Sequence, residues 1–61
     1  MNKSEIREAN KARLYASMGN VGAAARSLSA LIRSAMTKRS KLALLDVARE
    51  LNVANHPDFI V

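Results

Sequence analysis

The 61-residue chain contains no cysteine and only one proline, one histidine, one tyrosine and one phenylalanine. Without cysteine it forms neither a disulfide nor a thiolate metal site, and one histidine excludes a histidine-rich metal site. Domains this small bury only about 60% of their unfolded surface and usually need a disulfide, a metal or a partner chain. Since the first two are excluded, we expect good helix packing or a homodimer, and we favour the homodimer.

Long apolar runs are also missing from the chain. No stretch approaches the roughly 18 apolar residues of a membrane span. The first ten residues, MNKSEIREAN, carry two glutamates and lack the apolar segment of a secretory signal. The absence of cysteine fits a reducing compartment. We therefore expect a cytoplasmic protein that has no membrane partner.

Residues that carry catalysis are scarce. Gly19 and Gly22 are the only glycines, too few for a phosphate-binding loop. His56 is the only imidazole, so no serine has a suitable base and an orienting acid. The five acidic residues are explained as helix-terminal or surface charges. The sequence indicates a non-enzymatic protein with no catalytic residue, no metal site and no cofactor.

Positive charge is present in excess, with a formal net charge of +5, and it is concentrated in the middle of the chain. Residues 19–41 hold five basic residues and no acid, whereas residues 42–61 hold one basic residue and three acids. Such a field attracts polyanions. We predict that the protein is a small regulator that binds nucleic acid, DNA favoured, through phosphate contacts. The predicted contact residues are Arg26, Arg33, Lys38, Arg39 and Lys41.

Hydrophobic periodicity predicts an all-α fold, a small three-helix bundle with helices at about 4–18, 20–37 and 40–53. Residues 1–55 are expected to form one helical domain, followed by a C-terminal tail at residues 56–61.

Capping residues set the predicted helix ends. Ser4 is a good N-cap for the first helix, and Gly19 fits the left-handed residue that ends it. Asn20 is the cap expected for the second helix, and either Thr37 or Ser40 for the third.

Apolar residues form one-sided faces on the predicted helices. The second helix has a clean face that extends from Val21 to Met36. The first helix has a modest stripe, and the buried candidates in the third include Leu45 and Leu51. The stripe of the first helix consists of Ile6, Ala9, Leu14, Met18 and the aliphatic stem of Arg13.

The apolar face and the tail support an alternative function, a helical protein-interaction module that binds a second copy or another partner. The tail either folds back over the bundle or presents its apolar end to a partner. The partner-binding candidates are Leu28, Leu31, Ile32, Met36, Phe59 and Ile60.

Residues 14–28, LYASMGNVGAAARSL, resemble the start of the Fis-type helix-turn-helix, which also occurs at the C-terminus of NtrC-class bacterial regulators. The residues that match are Leu14, Gly19, Asn20, Ala24, Ala25, Arg26 and Leu28. The resemblance implies a turn after Leu28 and then an arginine-rich recognition helix. Periodicity alone favours one unbroken helix, because Leu31 and Ile32 continue the apolar face.

Overall fold

A computed structural model describes all 61 residues and contains three helices, α1 (Lys3–Ser17), α2 (Val21–Ser34) and α3 (Lys38–Glu50), with no strand. The predicted all-α three-helix fold is confirmed. The accessible surface of 4088 Å² is close to the roughly 3,900 Å² expected for a compact monomer of this mass. A single chain therefore closes its own core, and the homodimer stays a prediction. None of the helices has the length and hydrophobicity needed to traverse a lipid bilayer.

Helix α1 begins with a capping box. The Asn2 side chain accepts a hydrogen bond from the Glu5 amide at 2.8 Å, and the Glu5 carboxylate accepts one from the Asn2 amide at 2.9 Å. Two orphan amides at the helix start are thereby satisfied. The prediction that Ser4 is the cap is wrong, because only a cap at Asn2 places a glutamate three residues later.

The connection between α1 and α2 follows the predicted pattern. Gly19 has φ +82°, and the Asn20 amide reaches back to the Tyr15 carbonyl at 2.9 Å. This left-handed residue ends α1, and the Asn20 side chain then caps α2 by accepting from the Ala23 amide at 3.3 Å. The roles predicted for Gly19 and Asn20 are confirmed.

Helix α2 is unbroken through Leu28, so the chain does not turn there. It ends at Ser34, three residues earlier than predicted, because Thr37 caps α3 and accepts from the Ser40 amide at 3.1 Å. Residues 35–37 must therefore leave the helical conformation. Of the two predicted caps, Thr37 is the correct one and Ser40 lies inside the helix.

Helix α3 ends at Glu50 and not at residue 53. Asn52 has φ +59°, and the Val53 amide donates to the Ala48 carbonyl at 2.9 Å. Asparagine tolerates the left-handed conformation that closes a helix C-terminus in this way. Val53 is fully buried just beyond the turn.

The core is small and rich in alanine. Four alanines, Ala9 and Ala12 of α1 and Ala24 and Ala25 of α2, are at most 1% exposed. Side chains of this size let two helix backbones approach closely. The rest of the core consists of Leu28, Leu44, Val47, Ala48 and Val53.

The apolar stripe predicted for α1 is mostly wrong. Ala9 is buried, but Ile6, Leu14 and Met18 are 45%, 58% and 64% exposed. Helix α1 turns its alanines inward because its main neighbour, α2, presents small residues as well. The predicted burial also fails at Val21 and Met36, which are exposed, and Leu45 and Leu51 are only half-buried.

Two long-range contacts show that α1 and α3 run in the same direction. The Ser40 hydroxyl donates to the Glu5 carboxylate at 3.1 Å, and the Arg13 guanidinium lies 3.3 Å from the Glu50 carboxylate. The first turns of α1 and α3 therefore lie together, as do their second halves.

The tail, residues 56–61, folds back along α2. Asp58 forms a salt bridge with Arg26 at 2.7 Å, and Arg33 donates to the Ile60 carbonyl at 2.6 Å. Phe59 is half-buried against the core. Of the two states expected for the tail, the structure has the folded-back one.

Candidate nucleic-acid interface

Five basic side chains gather where the first turns of α1 and α3 meet. Each of them lies within two residues of Glu5 or Ser40, the pair that joins the two helices. We call this group the cationic end. It consists of Lys3, Arg7, Lys38, Arg39 and Lys41.

None of the side chains of the cationic end makes a salt bridge or a hydrogen bond, and all five are exposed. The nearest acids in sequence are Glu5 and Glu8, both half-buried. Glu5 is already used by the capping box and by Ser40. The positive charge of this end is therefore only partly compensated within the molecule.

Helix α3 begins with three cations and has no acid in its first turn. The N-terminus of a helix carries about half a positive charge, and each cation placed there typically costs about 0.3–1 kcal/mol at a surface. Lys38, Arg39 and Lys41 thus add to a positive field that already exists. This arrangement disfavours α3 itself and increases the attraction of the end for an anion.

The five predicted nucleic-acid contacts divide into two groups. Lys38, Arg39 and Lys41 belong to the cationic end, whereas Arg26 and Arg33 are engaged by the tail. Lys3 and Arg7 were not among the predicted contacts, because Glu5 and Glu8 offset the positive charge of the first helix when charge is counted along the sequence. They lie at the cationic end because α1 and α3 run in the same direction, which counting charge along the sequence does not show.

The predicted partner-binding residues also divide. Leu28 is fully buried, so it belongs to the core and offers no surface to a partner; that assignment is corrected. Met36 and Ile60 are 93% and 63% exposed. The remaining candidates are half-buried against the core: Leu31, Ile32 and Phe59.

Other kinds of site have little support in the geometry. No three of the His, Asp and Glu side chains lie close enough together to hold a metal ion. One shallow pocket of about 360 Å³ lies at the C-terminal end of α3, beside Arg49, Asn52, Ala54 and Asn55. These residues include no nucleophile and no general base.

A comparison with protein-family models, curated proteins and solved structures found no match.

Proposed function

We propose that this protein is a small non-enzymatic regulator that binds nucleic acid, DNA favoured, through the cationic end. The observation that carries the proposal is the meeting of five unpaired cations at one end of the bundle, while every salt bridge lies elsewhere. Phosphates are the ligands that such a surface attracts most strongly, because their charge is dense and regularly spaced.

The cost of the first-turn cations supports this function. A sequence that only had to fold would place acids at the start of α3, as α1 does with Glu5. Residues that break a local stability rule without a structural gain are typical of functional sites.

The mode of binding follows from the residue types. Lysine and arginine contacts to phosphate give affinity and position the protein, but they carry no sequence information. The two aromatic residues, Tyr15 and Phe59, pack against the core and so offer no platform for stacking bases. We therefore expect binding to a duplex backbone, with Lys38, Arg39 and Lys41 as the main contacts.

The test is a fluorescence-anisotropy titration against a labelled DNA duplex between 50 and 200 mM salt. Removing two phosphate contacts by Arg39→Ala with Lys41→Ala should lower the slope of log K against log salt by about 1.8, because each contact contributes about 0.9. The matched control, Lys11→Ala with Arg49→Ala, loses the same charge away from the cationic end and keeps the contact between Arg13 and Glu50. Equal loss in both variants, or no loss in the first, contradicts the proposal.

A protein-interaction module is the second candidate, favoured by the exposed apolar side of α1. Ile6, Leu14 and Met18 are about half or more exposed and have no partner within the chain. A second copy of the chain that covers this side would supply the homodimer expected from the small core.

Sedimentation equilibrium tests the homodimer form of the second candidate. A dimer held by α1 should dissociate in the variant Leu14→Ser with Met18→Ser and persist in Leu42→Ser, which changes an exposed leucine of α3. A wild-type chain that stays monomeric at the highest concentration measured excludes the homodimer.

A further inference from the structure

Arg26 and Arg33 form a pair on one side of α2. They lie seven residues apart, which is close to two helical turns and about 10.5 Å along the axis. Both guanidinium groups meet the tail: Arg26 donates to the Asp58 carboxylate at 2.7 Å, and Arg33 to the Ile60 carbonyl at 2.6 Å. One short segment thus engages both arginines.

The position of Asp58 is set by its surroundings. The His56 ring nitrogen Nδ1 accepts a hydrogen bond from the Asp58 amide at 3.0 Å, which turns the tail towards α2. A Cβ on Gly22 would lie 3.1 Å from the Asp58 carboxylate oxygen, so glycine leaves room for that oxygen beside the helix. Phe59 packs against the core next to it.

The chemistry of the two contacts resembles that of a phosphate site. Both ligands of the arginine pair are oxygen acceptors, one of them charged, and arginine forms the same charge-assisted bonds with phosphate. Each of the two guanidinium groups can therefore bind a phosphate oxygen in the same way as it binds an oxygen of the tail.

The contact with the tail is open to exchange. The Arg26 and Asp58 side chains are 63% and 42% exposed, and ion pairs at such exposure contribute little to stability because water and salt screen them. A polyanion that approaches α2 can take the guanidinium groups from Asp58 and Ile60 while Phe59 stays in place.

We propose that Arg26 and Arg33 are a second phosphate-contact site, and that the tail competes for it and so weakens polyanion binding. The inference rests on the proposed function, since it assumes that the cationic end binds a nucleic-acid duplex. It assigns the tail a regulatory role: any event that removes the Asp58 charge or lifts residues 58–60 increases affinity.

The experiment is a double-mutant cycle of Asp58→Asn and Arg26→Ala, with duplex affinity measured at 50 and 200 mM salt. Asp58→Asn should tighten binding, and the gain should be about 3.5-fold smaller at 200 mM, because one added phosphate contact raises the salt slope by about 0.9. In the Arg26→Ala background the same change should have little effect, because the contact it releases is gone. Circular dichroism checks that each variant keeps its helices.

Two further variants keep the result interpretable. Asp46→Asn removes one negative charge from another exposed pair, Asp46 with Arg49, and should tighten binding less than Asp58→Asn does. A chain that ends at Phe59 as a C-terminal amide removes the carbonyl bound by Arg33 and should have a steeper salt slope than the full chain amidated at Val61.

The outcomes separate the two proposals. If wild type binds duplex but Asp58→Asn gives the same gain with and without Arg26, the tail does not compete and this inference is wrong. If neither wild type nor any variant binds duplex at 50 mM salt, the proposed function fails and the inference fails with it.

Discussion

The two halves of this bundle differ in how far their charges are paired in salt bridges. The three salt bridges involve the second halves of α1 and α3, the first half of α2 and the tail, and they pair Arg13 with Glu50, Arg26 with Asp58 and Arg49 with Asp46. We call these six residues the paired half. The cationic end has no salt bridge.

The ion pairs of the paired half affect the electrostatic field of the molecule more than they affect its free energy of unfolding. Their side chains are 42–77% exposed, and pairs of this kind are worth about 0–1 kcal/mol each. What they do is cancel three of the ten basic charges in one region. The net positive charge of the molecule is thereby displaced towards the cationic end.

The largest expected effect on stability comes from shortening a core side chain that supports both halves. Leu28→Ala leaves a cavity in the core and should lower the free energy of unfolding by about 2–5 kcal/mol. A core this small supplies only about 3–5 kcal/mol in total, so much of the variant should be unfolded at 25 °C. Urea denaturation followed by circular dichroism measures this.

The control for Leu28 is Leu14→Ala, which removes the same atoms from an exposed position of α1. It should change the free energy of unfolding by less than about 0.5 kcal/mol. Similar losses in the two variants would mean that Leu14 is buried in solution, as it would be in a dimer.

Charge reversal at the cationic end should separate function from stability. Lys38→Glu, Arg39→Glu and Lys41→Glu together place acids at the N-terminus of α3 and should raise the free energy of unfolding by about 1–2 kcal/mol. The same variant should lose duplex binding. For a domain of this size, each 1 kcal/mol in the free energy of unfolding shifts Tm by about 4–8 °C.

The matched reversal in the paired half is Arg13→Glu, Arg26→Glu and Arg49→Glu. It changes the net charge by the same amount but turns each of the three ion pairs into a pair of like charges, so Tm should fall. If both triple variants shift Tm in the same direction, net charge alone governs stability, and the distinction between the two halves is wrong.

Thr37→Ala should have an intermediate effect that reaches only one half. It removes the side chain that caps α3 and should cost about 1 kcal/mol. Amide hydrogen exchange should accelerate in the first turn of α3 more than in its last turn, because the cap acts locally. Uniform acceleration along α3 would show that the helix opens as one unit.

Some parts of the fold could be predicted from the sequence and others could not. The helices, the left-handed Gly19 and the Asn20 cap follow from local rules that need only a few neighbouring residues. The alanine face of α1 could not be found in this way, because burial depends on which side chains the neighbouring helix presents. Ile6 and Leu14 are larger, but α2 accepts only small residues close to its backbone.

Local sequence rules predict only part of the candidate site. Lys38, Arg39 and Lys41 are adjacent in sequence, so charge counting found them together. Lys3 and Arg7 join them only because α1 and α3 run in the same direction, and Arg26 is paired only because the tail returns to α2. Both facts are long-range and have no signal in sequence spacing.

The smallest expected effect is the most informative about the paired half. Glu50→Gln removes the charge that faces Arg13, whose guanidinium lies 3.3 Å away and is 42% exposed. Because such a pair contributes about 0–1 kcal/mol, Tm should fall by no more than about 4–8 °C, and less at high salt. A loss well above this range would mean that the pair fixes α1 against α3. The cationic end would then depend on it, since this contact and the Glu5–Ser40 hydrogen bond are the two that align those helices.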